Sequence, residues 1–151
     1  MQETILLPSR EDVLMLHDLI LSVSPGRQGI LHSQYIDSAL ERPYSRMQYE
    51  GVDIHSVVAS LVDSFARNHA FNDGNKRTAL MCGIYTYAIN GIFLDFSDEM
   101  NNEFESLVLK VVREKPTIDE IAANLSKLVE KYSQTSFEKF FTSFRNFLGI
   151  N

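Results

Sequence analysis

At 151 residues the chain has the length of one domain with one core, since a chain of this size buries roughly 70% of its unfolded surface. Its 44% hydrophobic and 23% charged residues exclude an intrinsically disordered chain, and no apolar run is long enough for a membrane span. The net charge of −6 argues against broad nucleic-acid binding through phosphate neutralisation, although a small basic cluster can still hold a nucleotide and an acidic surface can meet a basic partner.

The opening stretch from Met1 to Pro8 carries Glu3 and a short apolar patch, Ile5 to Leu7. No secretory signal is expected from it, and the cytoplasm is the expected compartment. Ser9 is placed to cap a first helix, with Glu11 and Asp12 near the positive end of its dipole and Val13, Leu16, Leu19 and Ile20 on one apolar face. Ser24, Pro25 and Gly26 end it. A glycine-bearing loop runs to His32, and Ser33 caps a short second helix whose Tyr35, Ile36, Ala39 and Leu40 share a side before Pro43 stops it. The stretch from Ser45 to Asp53 shows no clear period.

From Ile54 to Ala66 the residues Val57, Val58, Leu61, Val62 and Phe65 recur at helical spacing, which predicts a central helix ending before Asn68. A second central helix begins near Asn75 and runs through Leu80, Ile84 and Ala88 to Asn90 and Gly91, a pair suited to a left-handed C-cap. The lone cysteine, Cys82, lies in this apolar stretch and is expected to be a buried, unreactive thiol. Ser97, Asp98 and Glu99 mark another helix start, and Thr117 with Glu120 makes a capping box. Phe137, Phe140, Phe141, Phe144 and Leu148 form an apolar stripe on a C-terminal helix at about 136–149, read first as core packing and second as a dimer or partner contact. With no internal repeat or linker, the pattern predicts a single all-α domain: a compact bundle of about six to seven helices with the active-site loop between the two central ones.

That loop is His69-Ala70-Phe71-Asn72-Asp73-Gly74-Asn75-Lys76-Arg77. A loop entering a helix offers unpaired amides and the positive end of a dipole to an anion. Gly74 lets the backbone turn and approach closely, and the amides from Gly74 to Arg77 can form a nest for a nucleotide's phosphates. Arg77 can grip phosphate oxygens with two parallel donors, Lys76 adds a mobile point charge, and Asn75 can donate without adding charge. Two cations opening an apolar helix are disfavoured by its dipole unless an anion is present. Asp73 is placed to hold a Mg²⁺ ion that bridges phosphate oxygens, with a turn or capping role as the alternative. A histidine can take up a proton near neutral pH, so His69 suits a general base. Phe71 is read as a packing anchor. His17, His32 and His55 lack the spacing of zinc ligands, so no structural metal is expected from them.

The nine residues resemble the signature of the Fic/Doc family, His-x-Phe-x-Asp/Glu-Gly/Ala-Asn-Gly/Lys-Arg, at all seven specified positions. Weaker similarity to Doc-type chains covers Ser9 to Leu94, including Leu14 to Leu21 and Asp37 to Pro43. The resemblance implies a Fic/Doc-like fold and transfer of a phosphorus-bearing group from ATP or another nucleoside triphosphate, with Mg²⁺, to a hydroxyl of a target protein. His69 would be the base, Asp73 the metal ligand, and Gly74, Asn75, Lys76 and Arg77 the phosphate-binding residues. A flap that docks the target's backbone is expected at Gly26 to His32, although Leu31-His32 stand where Doc-type chains often have Arg-Asp. AMP-transferring relatives read Gly-Arg-x-x-Arg where this chain has Lys76-Arg77-Thr78-Ala79-Leu80, and Leu80 has neither the charge nor the donors of the distal arginine.

The Lys-Arg ending instead matches Doc-like relatives that transfer the γ-phosphate, with elongation factor Tu as the known kind of target. The family also implies a cognate antitoxin covering the active site, and no Ser/Thr-x-x-x-Glu-Gly/Asn inhibitory segment appears in this chain. The sequence therefore points to a toxin-like kinase that blocks translation. AMP or another nucleotidyl transfer is the alternative within the enzyme class, and a catalytically inactive helical binding module is the alternative outside it. Neither direct nucleic-acid binding nor a membrane is expected.

Overall fold

Side-chain caps start five of the seven helices found among the described residues, because each such cap gives an otherwise unpaired first-turn N–H an acceptor. The structure, a computed structural model, describes residues 4–23, 26–50, 53–133 and 135–149, and only the backbone of residues 48–50. Its helices are α1 (Arg10–Val23), α2 (Ser33–Glu50), α3 (Ile54–Arg67), α4 (Asn75–Ile89), α5 (Asp98–Glu114), α6 (Ile118–Tyr132) and α7 (Phe137–Phe147). Ser9 and Asp12 cap each other reciprocally at α1, the Asp12 N–H donating to Ser9 Oγ and the Ser9 N–H to Asp12 Oδ2. Thr117 caps α6 as the sequence predicts. The fold is all-α, and among the described residues the one β-type pairing is an isolated antiparallel bridge between Ile30 and Phe71. No helix among the described residues is long and apolar enough to cross a membrane.

α3 is the axis of the bundle. It packs against α2, α4, α5 and α6, and buries the whole predicted stripe Val57, Val58, Leu61, Val62 and Phe65. α4 lies beside it, flanked by α1 and α5, and is covered on most sides; Ala79, Met81, Cys82, Ile84 and Tyr87 are all buried. Burial drives the Cys82 thiol far above its ordinary pKa, so it stays protonated and inert. α3 and α4 are thereby fixed as rigid walls, and the link between them, residues 68–74, is anchored at both ends.

The structure corrects the sequence reading in three places. α2 does not stop at Pro43 but continues to Glu50. Proline inside a helix costs about 3 kcal/mol, and tertiary contacts on both sides of it offset that cost. Pro43 itself is buried, Met47 packs on the core, and the preceding Arg42 is clamped to α3. Ser33 is the first residue of α2 rather than its cap, and its hydroxyl accepts a hydrogen bond from Arg10 of α1. α7 contains no fully buried residue: Phe140 and Phe144 lean on the core, while Phe137, Phe141 and Phe147 stay exposed. Phe93 and Phe96 hold this helix through edge-on and tilted ring contacts with Phe137, Phe140, Phe144 and Phe147. The residues Ser24 and Pro25, expected to end the first helix, lie outside the described residues.

Asp63 ties α2 to the end of α3 that feeds the link. Its buried carboxylate accepts from Arg42 Nη1 at 2.8 Å and from Arg67 Nη1 at 3.1 Å, and Arg42 also donates to Ser64 Oγ at 3.0 Å. Both arginines remain about 40% exposed, at 41% and 38%, so the value of the cluster lies in satisfying a buried acceptor rather than in bare Coulomb energy. Replacing Arg42 by alanine is expected to lower unfolding free energy by about 1–3 kcal/mol in urea titration, with the slope unchanged.

Candidate active site

α3 closes on Asn68, whose N–H donates to Ser64 O, and His69 follows at φ 54°. A left-handed residue just past a helix end reverses the chain, but it is uncommon for a residue bearing a Cβ. The reversal leaves the His69 imidazole exposed, with no hydrogen bond to any described residue. A base for an external hydroxyl needs that accessibility.

Phe71 turns the other way. Its side chain is 1% exposed and stacks on His17 of α1, with centroids 3.8 Å apart and planes at 10°. Its main chain is held by one side chain at both ends: the Phe71 N–H donates to Asn75 Oδ1 at 3.0 Å, and Asn75 Nδ2 donates to Phe71 O at 2.9 Å. Asn75, predicted to donate to phosphate, thus has its amide oxygen and one of its two Nδ2 hydrogens engaged on the loop. His17 Nε2 lies 2.8 Å from Asp73 O. Because a carbonyl oxygen only accepts, this nitrogen carries the proton and donates.

Asp73 is half-buried, and both of its oxygens are in use. The Arg27 N–H donates to Oδ2 at 3.2 Å and the Gly74 N–H to Oδ1 at 2.8 Å. These two amides, helped by the charges of Arg77 and Arg27, outweigh partial desolvation and hold the carboxyl below its ordinary range. An ionised carboxylate with lone pairs still unfilled fits a Mg²⁺ ion that arrives with a nucleotide, since Mg²⁺ is bound by one or two carboxylates plus substrate phosphates. Asp73 belongs to no cluster of three or more acidic, histidine or cysteine residues among the described ones.

Gly74 opens α4 at φ 79° with no side-chain cap. The amides of Asn75 and Lys76 therefore lack an intrahelical partner and sit at the positive end of the helix dipole, a setting suited to phosphate. Lys76 is exposed and Arg77 half-buried in the same turn. Both line a cavity of about 420 Å³ between α1, α4 and α5, whose walls include Leu80 and Phe147. A larger groove of about 490 Å³, between α5 and α6, contains none of the loop residues.

The expected flap, Gly26 to His32, lies against the loop by its inner edge. Leu31 and His32 donate to Ala70 O at 2.8 and 3.0 Å, the Asn72 N–H donates to Gly29 O at 3.1 Å, and Asn72 Nδ2 donates to Gln28 O at 3.0 Å. A Cβ at Gly26 would come within 2.4 Å of Asp73 Oδ2, so only glycine lets this segment reach the carboxylate without a shift. Sequence reasoning missed His17, the Arg27 amide and the inward task of Asn75. A signal for His17 existed: it falls four residues after Val13 and three before Ile20, inside the apolar face of α1.

A family model described as Fic/DOC family matches residues 7–87, which include the whole loop. A relative named "Protein kinase doc" from Escherichia phage P1 is 33% identical over 93 residues, covering 61% of this chain and 74% of that protein. A relative named "Toxin Doc" from Mycolicibacterium smegmatis is 33% identical over 121 residues, covering 78% of this chain and 88% of its own.

Two outcomes follow from the loop geometry. Alanine at Gly74 meets nothing closer than 3.7 Å, so it pays only for its left-handed backbone, and Gly74→Ala is expected to cost about 1–2 kcal/mol in denaturant unfolding, with Gly74→Asn milder. For Asp73, the lowered folded pKa means its contribution to stability is fully present above the ordinary value of 3.8 and is lost as pH falls through the lowered folded value. Asp73→Asn should therefore flatten that part of the acid limb when the unfolding midpoint is followed between about pH 2 and 6.

Proposed function

This chain belongs to the Fic/DOC family, and from that premise we propose that it is a toxin-like protein kinase. It transfers the γ-phosphate of a nucleoside triphosphate, ATP first among them, to a serine or threonine hydroxyl of a target protein and so blocks translation. Elongation factor Tu is the first target to test. The observation that carries this reading is the loop at the head of α4: a left-handed, uncapped Gly74 beside an ionised Asp73, with Lys76 and Arg77 in the first turn. Leu80, one turn further on and half-buried against the core, supports γ- over α-phosphate transfer because an aliphatic side chain cannot hold the terminal phosphate as a second arginine would. The printed name of the phage relative, a protein kinase, supports the same choice.

In this reading the amides at the start of α4, with Lys76 and Arg77, bind and orient the triphosphate. The target hydroxyl attacks the γ-phosphorus in line while His69 takes its proton. One oxygen–phosphorus bond forms, the bond from the γ-phosphorus to the β–γ bridging oxygen breaks, and the nucleoside diphosphate leaves. A Mg²⁺ ion held by Asp73 would supply charge neutralisation across the phosphate oxygens. Rate acceleration then comes from positioning and fixed charge, not from a covalent enzyme intermediate. The segment from Gly26 to His32, tied to the loop by its inner edge, serves as the dock for the target's backbone. A cognate antitoxin covering the active site is the partner that keeps such a protein harmless in the cytoplasm that makes it, in keeping with the second relative's name, a toxin.

The test is label transfer to elongation factor Tu and to a bacterial lysate from ATP labelled at either the γ- or the α-phosphate. Label from the γ position is expected, and His69→Ala should reduce its rate by about 10²- to 10⁴-fold with the unfolding midpoint unchanged. Label from the α position would replace this reading with nucleotidyl transfer. No label from either, in elongation factor Tu or in lysate, would favour a helical binding module.

A further inference from the structure

The peptide unit joining Asp73 to Gly74 is a rigid plane, and its two polar ends are held by different parts of the fold. Its N–H donates back to Asp73 Oδ1 at 2.8 Å, and its carbonyl oxygen accepts from His17 Nε2 at 2.8 Å. This carbonyl bond is made across 56 positions of sequence by a side chain only 4% exposed. The imidazole has little freedom to move. One face is stacked on Phe71 at 3.8 Å, and its Cδ2 and Nε2 lie 3.7 Å from where a Cβ of Gly74 would stand.

Gly74 makes this bond consequential. Glycine occupies positive and negative φ about equally well, so the Asp73–Gly74 peptide has little intrinsic resistance to turning over by coupled rotation about ψ of residue 73 and φ of residue 74. In the turned-over state the carbonyl would face the Asp73 carboxylate, and the N–H would face the Nε2–H of His17. The first repels an anion and a carboxylate alike; the second sets donor against donor unless the ring moves its proton to Nδ1. A buried donor on the far side of the peptide therefore selects the orientation in which the carboxylate and the first amides of α4 look toward the same point.

We propose that His17 is a positioning residue: by donating to the Asp73 carbonyl it fixes the Asp73–Gly74 peptide in the orientation that lets the loop take a Mg²⁺–nucleoside triphosphate. The inference rests on the phosphotransfer reading above for its ligand, but not for its loop geometry. Side chains that orient the groups holding a metal or phosphate commonly change affinity or activity by about 10- to 100-fold when removed.

The experiment uses the full chain with two substitutions. His17→Phe keeps an aromatic ring against Phe71 and removes the donor; His17→Gln removes the ring and keeps an N–H of similar reach. Hydrogen exchange at the Gly74 amide, followed by NMR without nucleotide, is expected to be about tenfold faster in the Phe variant and near wild type in the Gln variant. Calorimetry with Mg²⁺–ATP should show binding weakened about tenfold by His17→Phe and largely restored by His17→Gln, with the γ-phosphate transfer defect appearing mainly in KM. Wild-type exchange and affinity in the Phe variant would overturn the proposal, as would equal losses in both variants. If wild-type protein binds no Mg²⁺–ATP, the phosphotransfer reading falls, while the nucleotide-free exchange result still decides the role of His17 in the loop.

Discussion

Phe71 is the point on which the loop is built. Its N–H and C=O are both taken by the Asn75 side chain, its flanking residues are bonded to the 29–32 segment, and its ring is buried against His17. These contacts satisfy a main chain that belongs to no regular element, which a buried loop otherwise cannot afford. They also divide the nine residues into inward and outward sets. Phe71 and the Asn75 amide group face in; His69 and Lys76 are left to solvent.

Electrostatics at the head of α4 follow from the same arrangement. A serine, threonine or aspartate cap, as on α3, α5, α6 and α7, would satisfy a first-turn amide internally. Gly74 caps with nothing, and the nearby carboxylate of Asp73 reaches only the Gly74 N–H before turning to the Arg27 amide. Positive charge therefore accumulates at the helix start, where Lys76 and Arg77 add to the dipole instead of opposing it. Uncapped first amides and two cations at one helix start cost local stability, which the Asp73 carboxylate beside them offsets in part. The surrounding fold absorbs that cost because α4 is buried along most of its length beside α3.

The periphery obeys weaker rules. α2 runs through Pro43 because burial of the ring and the Arg42–Asp63 clamp offset a lost backbone hydrogen bond. α7 attaches by aromatic edges to Phe93 and Phe96 without burying any residue completely. Phe147 at its end reaches the rim of the cavity lined by Lys76 and Arg77, so this loosely packed helix forms part of the wall beside the loop.

The sequence by itself determined the helix starts at Ser9, Asn75, Ser97 and Thr117, the buried stripe of α3, and the chemical content of the loop. Caps and 3.6-residue periods are local, and seven specified residues in nine positions need no tertiary contact to be read. What only the tertiary structure decided are the contacts made across long separations. His17 with Asp73, Arg27 with Asp73, Arg42 with Asp63, and the pairing of 29–32 with 70–72 join segments that no periodicity relates. The same is true of Pro43, whose helix-breaking tendency is local while the packing that overrides it is not. The side chain of Asn75 reads as a phosphate donor in sequence because its type permits that role. The fold gives it to Phe71 because a main chain buried at that point requires both a donor and an acceptor, and a single amide four residues away supplies the two.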